Sequence, residues 1–233
     1  MELEIDEAAA CFSTANPVWH LEECNLYATM HEVDTSMLNS LYDVFRSGVP
    51  ISIPYDGIAC SRHMISSSSF TINIARSFTR LKSVLVTLFK NGAGKKAVNS
   101  FFHPLSVGSK KVTNADDTLT YQCQIASHKY PERPVQGIAE SFMRLRQSAA
   151  CFYGNDDLGI KPNEFRGESF IATMEFERAG AQAYHTGIST KNGQLLTINF
   201  EQTGLGGAGD FALVTLCYDG FVRLSETGVE ILE

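Results

Sequence analysis

Several residues in this chain could do chemistry, but few fall at the spacings chemistry needs. Gly204, Gly206 and Gly209 match the G-x-G-x-x-G spacing of dinucleotide-binding loops. That motif works when a helix N-terminus follows the glycines and receives a pyrophosphate. Here Phe211 to Tyr218 (FALVTLCY) follows and reads as a strand, so the glycines are assigned to a hairpin loop. Lys95 in GAGKK lacks the inter-glycine spacing and the Ser/Thr of a phosphate loop, and is read as a turn. A nucleophile and base could be drawn from Cys151 or Cys217 with His185 or His128, yet no spacing brings any pair together. Cys217, inside VTLCYDG, reads as part of a core strand.

Metal chemistry fares no better. His20, His31, His63, His103, His128 and His185 are isolated, without the close spacing and nearby carboxylate of a cupin-type site. The six cysteines (Cys11, Cys24, Cys60, Cys123, Cys151 and Cys217) form no C-x-x-C pair. They read as reduced, mostly buried small hydrophobes and not as zinc ligands. The loop pairs Asp116-Asp117 and Asp156-Asp157 offer too few oxygens for calcium. No catalytic, cofactor-binding or metal-binding residue is therefore assigned, and no cofactor is expected.

Composition narrows the class further. With 19 Lys and Arg against 26 Asp and Glu, the net charge of −7 argues against a nucleic-acid-binding protein. The basic residues are dispersed, Lys95-Lys96 and Lys110-Lys111 being the nearest to clusters. No apolar run approaches the roughly 20 residues needed to span a bilayer. The start, MELEIDEAAACF, is acidic and lacks the basic and apolar regions of a signal peptide, so synthesis in the cytoplasm is expected.

The elements that would position these residues are mostly strands. Phe70–Ile74 and Ser83–Phe89 are dense in β-branched and aromatic residues and are taken as a strand pair at the centre of the core. The first alternates; the second is apolar throughout and should be covered on both faces. Between them Arg76, Arg80 and Lys82 interleave with Phe78 and Leu81, a pattern that fits a binding surface but more often a solvated connection whose aromatic residues pack inward. Further strands are expected at 17–27, 51–58, 118–126, 167–177, 194–201 and 211–218, with short ones at 221–224 and 229–232. Turns are expected at 191–193, 204–209, Asp219-Gly220 and Thr227-Gly228. Met37, Leu38, Leu41, Val44 and Phe45, capped by Asp34 to Ser36 and stopped by Gly48 and Pro50, predict one helix. Ile138, Phe142, Leu145 and Ala149 predict a second, with Glu140, Arg144 and Gln147 facing outward. Tyr130-Pro131-Glu132-Arg133-Pro134 reads as a stiff connector and 153–166 as loop.

About eight to ten antiparallel strands with two short inserted helices indicate an all-β protein, a jelly-roll β-sandwich. Residues 1–16 are expected to form an arm and 17–233 a single jelly-roll domain.

Four passages resemble a known family. They are Arg76-Ser77-Phe78-Thr79-Arg80-Leu81-Lys82-Ser83-Val84; Tyr130-Pro131-Glu132-Arg133-Pro134-Val135 with the helix around Ala139-Glu140; 183–190 with 193–197; and 217–220 running to 228–232. Together they resemble the C-terminal jelly roll of the double jelly-roll major capsid proteins of Polinton-like viruses and virophages, double-stranded DNA viruses. The resemblance implies a structural protein of the virion capsid that self-assembles into trimeric, pseudo-hexagonal capsomers. It implies no cofactor, no specific nucleic acid and no membrane span; a second jelly-roll capsid chain is a possible partner. This chain has room for one jelly roll where the family has two, as expected of a fragment, a split gene or an endogenised relic. A lone half should expose the face its missing neighbour covers.

Two other readings compete. A lectin-like ligand-binding sandwich would use exposed aromatics, for which Trp19, Tyr121 and Tyr153 are candidates. An enzyme on the same scaffold would need His185 to meet Cys151 or Asp157.

Overall fold

The computed structural model describes residues 20, 22–25, 27–89, 119–153, 159–167, 169–176, 187–191, 195–225 and 228–232. Among them helix α1 (Thr35–Arg46) precedes β1 (Ile51–Met64), β2 (Phe70–Ile74), β3 (Arg80–Phe89), β4 (Thr120–Ile125) and β5 (His128–Gln136). Helices α2 (Gly137–Tyr153) and α3 (Pro162–Gly167) come next, then β6 (Ile171–Glu175), β7 (Leu196–Glu201), β8 (Phe211–Ser225) and β9 (Gly228–Leu232).

The strands form two antiparallel sheets. One has the order β1-β8-β3-β6, with β9 added on β8; the other has the order β2-β7-β4-β5. The pairings are nested, β4 with β5, β3 with β6, β2 with β7 and β1 with β8. A long hairpin rolled up so that successive pairs alternate between two facing sheets produces this pattern, which defines a jelly roll. The alternation expected from a half-buried sheet fills the space between. Val84, Val86, Leu88, Ala212, Val214 and Leu216 face inward from the first sheet; Ile72, Ile74, Tyr121, Ile125, Ile198 and Phe200 do so from the second. Strand β3, with β8 and β6 on its two sides, is the strand whose apolar character on both faces the sequence shows.

The chain divides into two compact units. Tyr55–Asn91 and Ser100–Gly220 contain the sandwich, with α2 packed on the edge strands β5 and β6. Met1–Pro54, Gly92–Asn99 and Phe221–Leu232 contain α1 and the hairpin of β8's end with β9. In that unit the apolar stripe of α1 is exposed at Met37, Leu38, Leu41 and Val44.

Several expectations need correction. The described residues of 17–27 form no strand. The segments 70–74 and 83–89 are not a hydrogen-bonded pair: they lie in different sheets, β2 at the edge of one and β3 between β8 and β6 in the other. The Tyr130–Pro134 connector is part of β5, because an edge strand can spare the N–H groups that Pro131 and Pro134 lack. Loop 153–166 contains α3, anchored by the fully buried Phe165. Asp219-Gly220 is no turn, since β8 runs straight through to Ser225. Three helices are described instead of two, and α1 precedes the strands where insertion between them was expected. Of the described cysteines, Cys123 and Cys217 are buried but Cys24 and Cys60 are exposed.

Close packing explains why Gly220 does not break β8. The Tyr55 ring lies over Gly220, and the Tyr218 ring lies reciprocally over Gly57, so a Cβ at either glycine would collide with a ring. Bare backbone here is a seat for an aromatic side chain of the neighbouring strand.

Candidate functional site

The glycine-rich segment 204–209 is the loop between β7 and β8, and the N–H groups of Gly206 and Gly207 are taken. The Asp210 carboxylate, buried at 1% exposure, accepts hydrogen bonds from the Gly206 and Gly207 N–H groups at 3.0 and 2.9 Å. A nest of backbone N–H groups attracts anions; this one holds the chain's own carboxylate. Gly206 also approaches the Ser67 backbone with φ +132°, leaving no room for a Cβ. Thr203 bonds the Ser68 carbonyl through both its N–H (3.0 Å) and its hydroxyl (2.8 Å), fastening this loop to the β1–β2 loop.

The proposed nucleophile and base do not meet. Cys217 sits in the first sheet beside Ser83, its thiol pushed up by burial, while His128 starts β5 in the second sheet. His185, Asp157, Trp19, His103, Lys95 and the pairs Asp116-Asp117 and Asp156-Asp157 lie outside the described residues. So do the side chains of Cys151 and Tyr153. His20 pairs with Glu22 at 2.5 Å on the surface, and His63 shares a hydrogen bond with Ser61 at 3.0 Å. Among the described residues no three His, Cys, Asp or Glu side chains gather as metal ligands. Tyr121 is core: it stacks on Phe200 at 5.5 Å, and burial pushes its phenol up to about 12. It offers no aromatic platform to a sugar.

Sequence reading missed a charge cluster. A register shift in β3 between Leu81 and Ser83 accommodates Lys82, whose side chain is 3% exposed. Its Nζ lies 2.5 Å from Asp56 Oδ1 and 2.6 Å from Asp219 Oδ1. Burial works against the ammonium, but the hydrogen bonds and charges of Asp219 and Asp56 outweigh it and hold its pKa above the usual lysine value. No sequence signal could reveal this cluster, because its members come from β1, β3 and β8. It ties three strands together.

The outer faces of the two sheets differ in chemistry. On the second, Thr71 donates to Asn199 Oδ1 (2.8 Å), Thr197 to Asn73 Oδ1 (3.2 Å) and Thr120 to Glu201 Oε2 (3.2 Å). Gln122 donates to the Pro131 and Glu132 carbonyls at 2.9 and 3.1 Å. On the first, β1, β8 and β3 present Ile58, Cys60, Met64, Leu213, Phe211, Leu85 and Phe89, none of them fully buried. The second face is polar; the first mixes these apolar groups with Asp56, Arg62, Thr87 and Thr215.

This architecture places the chain among jelly-roll β-sandwich proteins. No family model matches the chain, and no curated protein matches its sequence. Solved structures do. It is similar to VP54 of PBCV-1, in a crystal structure fitted into a cryo-EM reconstruction of the virophage Sputnik. There the identity is 8% and the TM-score 0.53, over 86% of this chain and 55% of that one. A cryo-EM structure of the Sputnik virophage matches at 9% identity and TM-score 0.43, over 78% of this chain and 38% of that one. A quasi-atomic model of the PBCV-1 virus capsid matches at 8% and 0.44, over 86% and 55%. The chain thus spans about half the length of the VP54 chain it matches. At such identities the likeness is one of fold, and the VP54 match carries it.

Proposed function

We propose that this protein is a structural capsid-type subunit, acting by self-assembly and not by catalysis. The observation that carries the reading is the jelly-roll match to VP54, a protein fitted into a virophage particle, over 86% of this chain. The nested topology adds a physical reason. Successive connections of a rolled-up hairpin alternate between the two ends of the sandwich. The two longest, 90–119 and the one holding α2 and α3, follow β3 and β5 and so leave from the same end of the sandwich. On this reading 17–233 is one jelly-roll domain preceded by the arm 1–16, the site of action is the virion capsid, and the capsomer is trimeric or pseudo-hexameric. No observation favours the lectin-like alternative.

Light scattering on the purified chain over a concentration series with reducing agent, combined with negative-stain microscopy, tests this. Discrete oligomers or shells are expected. A chain that stays monomeric at high concentration overturns the reading.

A further inference from the structure

The start of β1, the end of β8 and β9 form a three-strand ribbon in the unit that also holds α1. Contacts of Tyr55 with Gly220, Tyr218 with Gly57 and Cys60 with Thr215 set one antiparallel register between β1 and β8. Carried on along both strands, that register places Ile53 beside Val222 and Ile51 beside Leu224. Pairing with β9 sets Val222 opposite Ile231 and Leu224 opposite Val229. Strand alternation puts all six side chains on one face, in two rows of three. None of them is buried, and Ile53, Ile231 and Val229 are exposed by 47%, 63% and 68%. The opposite face carries the Arg223–Glu230 ion pair.

Helix α1 has the complementary need. No residue of it is buried, and Met37, Leu38, Leu41 and Val44 form its exposed stripe. A helix of 12 residues is marginal in water unless its apolar stripe is packed. A short ribbon likewise needs cover on its apolar face.

We infer that α1 folds back as a strap over this face of its own chain. Residues 47–50 join it to β1, a link of the length that commonly connects a helix to the strand it packs on. Gly48, at φ +74°, turns the chain out of the helix. The dimensions agree: Met37 to Val44 spans about 10 Å of helix, and two rows of strand residues with their side chains cover about the same length. Running antiparallel to β1, the strap sets Val44 on the row of Ile51 and Met37 on the row of Ile53. The tether selects the occupant. Over so short a link the effective concentration of α1 is of roughly millimolar order, well above that of a second copy in dilute solution. The strap does not depend on the proposed self-assembly.

Hydrogen exchange on the full chain, over a concentration series, tests it. The α1 amides should exchange about tenfold or more below unstructured-peptide rates, equally at every concentration. Val229→Asp and Ile231→Asp should each remove that protection, and Glu230→Gln, on the ion-pair face, should leave it. Leu41→Asp reads the contact from the other side, by speeding exchange in β9. Thermal melts check that each variant keeps the sandwich. Mixing Leu41→Asp with Ile231→Asp chains should restore nothing; restored protection means that α1 reaches a neighbour, and overturns the strap. So does α1 unprotected in the wild type, protection that grows with concentration, or protection that survives both β9 variants. The proposed function is judged separately, by native mass.

Discussion

The two sheets bury similar inner faces and differ in what they turn outward. On the second sheet, threonine and asparagine side chains bond across strands from β2 to β7, and Gln122 covers the backbone of β5. These groups keep water as an alternative partner, so the face is stable exposed. The first sheet sets Phe89 opposite Phe211, Leu85 opposite Thr215 and Leu213 opposite Thr87, and its one lysine is folded back between two aspartates. Apolar side chains there gain nothing from water and would gain from cover, at roughly 25 cal/mol per Å² buried. One outer face is closed by its own side-chain hydrogen bonds; the other leaves apolar groups half-exposed among polar ones.

Breaking the charge cluster should have the largest effect. Lys82→Met removes the ammonium that Asp219 and Asp56 share and should lower the unfolding free energy by about 3 kcal/mol, measured by urea denaturation. Adding Asp219→Asn should restore part of it, showing that the first sheet tolerates charge only when it is neutralised internally. Next in size, Gly57→Ala should cost about 2 kcal/mol by driving a methyl into the Tyr218 ring. Combined with Tyr218→Ala, its cost should fall short of the sum of the two, because the collision is shared.

Alkaline titration separates the faces more gently. The raised pKa of Lys82 means the folded state holds that proton more tightly than the unfolded chain. Its contribution is full below the usual lysine value and is lost as pH rises through the folded value. Thermal melts from pH 9 to 12 should show a fall that Lys82→Met lacks. The smallest effect belongs to the polar face: Asn199→Ala removes one exposed hydrogen bond and should cost about 0.5–1 kcal/mol without altering native mass.

Much of the fold was legible because periodicity is local. The apolar run of β3, the alternation of β4 and the stripes of α1 and α2 are all properties of a few consecutive residues. Misreadings came where a distant residue changed the local rule. Asp219-Gly220 is a good turn dipeptide until the Tyr55 ring lies over the glycine, and Pro131 and Pro134 exclude a strand only if it is not an edge. The glycines at 204–209 were rightly read as a loop from the strand that follows them. That Asp210 fills their anion nest needed the structure.

By itself the sequence determined the β class, the helices around Met37 and Phe142, and the absence of any spacing that announces an active site. Only the tertiary structure decided that β2 and β3 lie in different sheets, that Lys82 meets Asp56 and Asp219, and that side chains bond across strands on the outer face of the second sheet. The physical reason is that side-chain alternation tells a residue which face of its own strand it occupies. It carries no information about which strand lies alongside or across, and pairings between β1 and β8 join residues far apart in the chain.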